Sequence, residues 1–203
     1  MAILKPKSTD FVNTVNEDAS EWSYTEKLLY FPCIKDMAAK KIKDIDESFV
    51  KGPIRTFLIS WGLMVRVINS KDRKTWRSDL AKSLKKHECN LEKFRKLDLK
   101  SVDISAIEDD IKELYSVVRK IVGPTSASKA LHLICPKFFP LWDENIRKKC
   151  KVNCEKKGYY EFMGKVKLFC NDYAKQLTFL QNKYKKSELR LIDQYMWKVA
   201  NSK

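Results

Sequence analysis

Glycine is scarce in this chain, with five residues in 203. That scarcity excludes the Walker phosphate loop and the Gly-rich dinucleotide turn, each of which needs several glycines in one short run. Histidine is scarcer still: His87 and His132 stand in separate segments, so a Ser–His–Asp or Cys–His set would have to be assembled by folding. Six cysteines (Cys33, Cys89, Cys135, Cys150, Cys154 and Cys170) are too sparse for a secreted disulfide scaffold. Cys150-x-x-x-Cys154 has no second close pair, and four-cysteine iron–sulfur spacing is missing, so ordinary thiols are expected and no metal or cofactor. No apolar run reaches membrane-spanning length; the longest, around 57–64, contains Ser60 and is followed by Arg66. The first residues, Met1-Ala-Ile-Leu-Lys-Pro-Lys, hold no apolar export segment. An intracellular, soluble protein of cytoplasm or nucleoid is expected, with no membrane partner. No segment alternates apolar and polar residues between turn signals, and no internal repeat is found, so strands are not expected.

What is abundant is positive charge and helical periodicity. Lys and Arg number 41 against 26 Asp and Glu, a formal charge of +15. Such an excess favours polyanionic partners, nucleic acid first. The plain alternative is a lysine-rich surface that serves solubility. The length suffices for one domain with a real core. We expect a single all-α domain over 1–203, with 1–22 as a polar arm and 23–100 and 101–203 as possible lobes. Residues 24–30 and 33–45 read as a helix pair broken at Phe31-Pro32. Gly52-Pro53 opens a strong helix whose stripe of Ile54, Phe57, Leu58, Trp61, Met64/Val65 and Ile68 reads as core. Trp76, Leu80 and Leu84 mark a weaker amphipathic helix with Arg77, Lys82, Lys85 and Lys86 on its other face, and 93–100 is again basic. Ser105-Ala-Ile-Glu108 has capping-box spacing and starts a helix through Ile111, Leu114 and Val118. Helices are also expected over 159–173, continuing towards Leu180, and over 187–200, with a basic loop at 151–157.

The densest information lies between Ile121 and Arg147. Gly123-Pro124 ends one helix and Thr125 or Ser126 caps the next, forming a hairpin over 112–135. Pro136 stops the second helix, and Phe138-Phe-Pro140-Leu-Trp142 delivers Asp143 to the mouth of a third. Orphan amides at the start of the second helix can bind phosphate oxygens, with Thr125, Ser126, Ser128 and Lys129 adding contacts. The same residues equally suit an ordinary, well-capped helix pair. By residue type Asp143 reads as an N-cap; the functional alternative is a partly desolvated carboxylate that polarises water or stabilises a developing cation. His132, on a mostly apolar helix, reads as a satisfied structural histidine.

These residues together resemble the helix-hairpin-helix DNA glycosylases. In that family a catalytic Asp follows the hairpin by about this distance and opens a helix reading roughly Asp-x-x-Val-x-Arg; here the run is Asp143-Glu-Asn-Ile146-Arg147. The resemblance implies two helical lobes with a central groove, double-stranded damaged DNA as partner, and excision of a flipped base. Asp143 would stabilise the sugar cation and position the attacking water or amine. Gly123, Thr125, Ser126, Ser128, Lys129, Arg147 and Lys148 would grip DNA, and Trp142 and Trp61 would line the base pocket. Strand-nicking members carry a nucleophilic lysine in the second hairpin helix. Lys129 lies about two residues beyond that place, rotated by roughly half a turn, which favours hydrolysis over lyase chemistry and a phosphate contact for Lys129. The family hairpin commonly reads Leu-Pro-Gly-Val-Gly, whereas Pro124 here removes one phosphate-facing amide. Two rivals stand beside the enzyme: a non-catalytic DNA- or RNA-binding module, and a helical interaction protein whose charge is incidental.

Overall fold

In a computed structural model the chain is all-α, and its described residues are 3–60 and 74–202, without the side chains of 20–23. Among them no strand occurs. The helices are α1 (Ser8–Thr25), α2 (Phe31–Ala39), the single turn α3 (Glu47–Phe49), α4 (Arg55–Ser60), α5 (Trp76–Lys86), α6 (Glu88–Arg95), α7 (Glu108–Val122), α8 (Pro124–Ile134), α9 (Glu144–Lys149), α10 (Lys156–Asp172), α11 (Ala174–Tyr184) and α12 (Glu188–Asn201). No helix of the described residues is long and apolar enough to cross a membrane.

The expected polar arm is instead α1, an 18-residue helix. Phe11, Val15 and Ala19, four apart, are its buried ridge, and Phe11 meets Phe169, Tyr173 and Tyr195 edge-on at 5.1–5.5 Å. Three apolar positions among Asn, Asp, Ser and Thr make a weak periodic signal. The helix stands because α12 covers that ridge. The expected break at Phe31-Pro32 is also absent. A π-helical turn, Glu26–Tyr30, joins α1 to α2, and the Phe31 N–H reaches back to the Glu26 carbonyl. Proline donates no hydrogen bond and its ring crowds the carbonyl four residues back; a widened turn accommodates both. A second π turn, Val50–Ile54, contains Pro53 and is kinked at Gly52, so the regular helix begins at Arg55 and not at the proline. Ile54, Phe57 and Leu58 are buried as the periodicity requires. Trp61, Met64, Val65 and Ile68 lie outside the described residues.

α5 buries Trp76, Leu80 and Leu84, as its spacing predicts. Asp103, not Ser105, accepts the capping hydrogen bond, and it starts a 3₁₀ turn (Ile104–Ile107) one step ahead of α7. α7 then buries Ile111, Leu114, Tyr115, Val118 and Val122. It packs on α5, α8 and α10, while α8 packs on α2, α4 and α7. The helix read through 159–180 is divided at Tyr173, where the backbone leaves helical geometry (φ −112°, ψ 25°). One continuous apolar cluster runs through the N-terminal and C-terminal elements alike.

Candidate functional site: the hairpin, Asp143 and the charged seam behind them

α7 ends because Gly123 takes a left-handed conformation (φ 85°, ψ 166°) that a side chain disfavours. Pro124 occupies the first position of α8, where a missing N–H costs nothing. Gly123 is thus the N-cap, and neither Thr125 nor Ser126 supplies a capping side chain as expected.

The Pro124 carbonyl is the fastening point of the region. It lies 3.4 Å from the Tyr115 hydroxyl and accepts the Trp142 Nε1–H at 3.3 Å. Tyr115 also lies 3.3 Å from the Cys154 carbonyl, so the hairpin tip, the Pro140–Trp142 connector and the basic loop after α9 meet at one place. Ser128 adds a second tie: its hydroxyl accepts the Trp142 N–H at 3.3 Å and faces the Thr125 and Trp142 carbonyls at 3.0 and 3.2 Å. Asp143 follows immediately. It is half-buried, and its Oδ1 accepts the Ile146 N–H at 2.8 Å, the N-cap that its residue type suggests.

Burial corrects several expected contacts. Every residue of α8 from Ser126 to Ile134 is buried. Ser126 and Ser128 therefore present no hydroxyl to a phosphate, and of the three expected hydroxyls Thr125 alone is half-exposed. Lys129 is 7% exposed, which is no place for a phosphate-gripping ammonium. Trp142 is core: its ring lies 5.0 Å from Tyr159, 5.3 Å from Phe162 and 5.9 Å from Tyr115, so no face is left to stack on a base. The half-buried Arg147 donates to the Val152 carbonyl at 3.3 Å and so braces the basic loop. Lys148 is exposed and paired with Glu144 at 2.7 Å. Trp61 lies outside the described residues.

His132 is fully buried, and both of its nitrogens are engaged. Nδ1 lies 2.8 Å from the Phe139 carbonyl, which can only accept, so Nδ1 carries the proton. Nε2 then accepts from the Tyr30 hydroxyl at 2.8 Å. Burial pushes its pKa down to about 3, against the pull of the Phe139 carbonyl. It is the satisfied structural histidine expected.

Behind Asp143 runs a seam of buried charge that sequence reasoning missed. Arg190 donates through Nε to Glu26 Oε1 at 2.8 Å and pairs through Nη1 with Asp193. Lys186 pairs with Glu26 and donates to Gln194 at 3.0 Å, and Gln194 donates to Asp18 at 2.9 Å. Lys129 belongs here: burial drives its pKa down, while the Asp193 and Asp143 carboxylates pull it back up. Asp193 is driven up by burial and held back by Arg190 and Lys129. One signal could have found the seam, because Arg190 and Asp193 stand three apart in a largely apolar run from Leu189 to Met196.

The rim in front is cationic. Arg119 and Lys120 at the end of α7, Lys149 at the end of α9, Lys151 on the loop that Tyr115 ties to the hairpin, and Lys156 and Lys157 at the start of α10 supply it, all but Arg119 exposed. Arg119 pairs with Glu155. Gly158 is what lets this loop fold back, because a Cβ there would stand 2.1 Å from the Asn153 carbonyl oxygen. Among the described residues no group of His, Cys, Asp and Glu could hold a metal, and all six cysteines are free. Compared with family models, curated proteins and solved structures, the chain matches none.

Proposed function

We propose that this protein binds double-stranded DNA along the hairpin and its cationic rim and hydrolyses the N-glycosidic bond of a flipped, damaged or mismatched base, in the manner of the helix-hairpin-helix glycosylases. The observation that carries the reading is the placement of Asp143. A half-exposed carboxylate is tied to the second hairpin helix through Trp142 and Ser128, beside a rim rich in lysine and before a buried lysine. In this reading the extruded nucleotide enters a groove between the two expected helical lobes. The capping bond uses one oxygen of Asp143, and the other faces the sugar. At ~4 Å and an effective dielectric constant of ~20 a carboxylate stabilises a unit positive charge by about 4 kcal/mol, or roughly 10³ in rate.

A non-catalytic nucleic-acid-binding module is the second reading, favoured by the capping bond and by the burial of Trp142. Two measurements test the proposal. With four phosphate contacts, affinity for a 20-base-pair duplex is expected to fall by about 10² between 50 and 200 mM salt. Incubation with duplexes that hold single modified bases is expected to leave an alkali-labile abasic site in at least one. Salt-dependent binding without base release favours the module; negligible, salt-independent binding rejects both.

A further inference from the structure

Where α7 packs on α10, two tyrosines lie ring on ring: Tyr115 and Tyr159, with centroids 4.1 Å apart and planes 9° from parallel. Both are buried, and burial raises the pKa of each phenol, so each hydroxyl keeps its proton and can donate. Tyr159 donates to the Pro140 carbonyl at 2.8 Å. Its ring lies 6.5 Å from Phe139 and 5.0 Å from Trp142, so one side chain holds the connector through Phe139, Pro140 and Trp142. Tyr115 has one proton for two carbonyls, Cys154 at 3.3 Å and Pro124 at 3.4 Å. The Pro124 oxygen already accepts the Trp142 indole N–H at 3.3 Å, so the proton of Tyr115 serves Cys154. Pro140 and Cys154 bound one stretch of chain, and Asp143, α9 and Lys151 lie between them. Arg147 and Lys165 brace the middle of that stretch, at the Val152 and Cys150 carbonyls. The stacked tyrosines hold its two ends.

We propose that Tyr115 and Tyr159 are positioning residues that act as one clamp: Tyr159 sets the end of the stretch that carries Asp143, and Tyr115 sets the end that carries the basic loop. Two rings in face-to-face contact keep their hydroxyls at a fixed separation. The carboxylate and the cationic rim are thereby held in one register, which is what a group acting on a sugar beside a gripped phosphate requires. The use of that register rests on the base-excision reading. The clamp itself rests on the rings and their hydrogen bonds.

Tyr159→Phe and Tyr115→Phe each keep the ring and delete one hydroxyl, so the stack and the fold survive. Hydrogen exchange of the Ile146 N–H, which Asp143 caps at 2.8 Å, reads the first end. Trypsin cleavage after the exposed Lys151 reads the second, and exchange of the Met196 amide, inside the buried α12, reports global opening. Tyr159→Phe strands the Pro140 carbonyl and is expected to speed Ile146 exchange about tenfold relative to Met196. Tyr115→Phe is expected to speed cleavage after Lys151 about fivefold on the same scale. Either rate rising only in step with Met196, or staying at its wild-type value, overturns the proposal. In the base-excision reading Tyr159→Phe also slows single-turnover base release at saturating duplex, and Tyr115→Phe weakens duplex binding. If exchange and cleavage change as expected but no duplex loses a base, the clamp stands and the base-excision reading falls.

Discussion

Asp143 can be taken apart into a cap and a charge. Asparagine is as good an N-cap as aspartate, because its carbonyl oxygen accepts the same N–H; alanine is not. In Asp143→Asn the 2.8 Å bond from Ile146 N is kept and the negative charge is lost. In Asp143→Ala both go. Losing the cap costs about 1 kcal/mol, which for a chain of this size is a fall in Tm of about 2–4 °C. Losing the charge costs about 4 kcal/mol of transition-state stabilisation, roughly 10³ in base release. The expected pattern is therefore a near-native melt with dead chemistry for Asn, and a lowered melt with dead chemistry for Ala. DNA affinity should stay close to wild type in both, since the rim is untouched. Thermal melts, duplex binding and single-turnover base release on one substrate read the three quantities separately. If Asp143→Asn releases bases within a few-fold of wild type, the carboxylate is a cap only and the reasoning fails.

Gly158→Ala forces a methyl onto the Asn153 backbone oxygen, 2.1 Å away, so the basic loop must shift. We expect a loss of about 2 kcal/mol with weakened duplex binding, and unchanged binding would detach that loop from the interface. His132 carries a clear pH sign. Its unfolded imidazole titrates near ~6.5 and its folded one near about 3, so between these values the unfolded chain binds the extra proton. The stability it contributes is present above ~6.5 and is lost as pH falls towards about 3, by roughly 3 kcal/mol at pH 4.5. NMR should find the folded ring still neutral at pH 4.5, and a midpoint near 6.5 would refute this. Arg190→Met leaves Glu26 and Asp193 buried without their shared cation, an expected loss of about 3–5 kcal/mol in urea denaturation. A loss below 1 kcal/mol would mean that water reaches the seam.

Much of this protein is written in local chemistry. Gly123 with Pro124, the 3–4 spacing of α5 and α7, and Ser187 before α12 each act within one or two turns, so residue type alone places those helices. Asp143 as an N-cap belongs to the same class, because the bond that defines it spans three residues. What sequence reading lost was decided at a distance. α1 is a helix because α12 covers a ridge too thin to announce itself. Ser126, Ser128 and Lys129 are interior because α8 is enclosed by α2, α4 and α7, and Trp142 because Tyr115, Tyr159 and Phe162 close around it, which no hairpin motif reveals. Arg190 meets Glu26 across 164 positions of chain. Periodicity reports which face of a helix is apolar; only packing decides which charged side chains are drawn in with it, because a buried charge is tolerated only where a partner from another element is waiting.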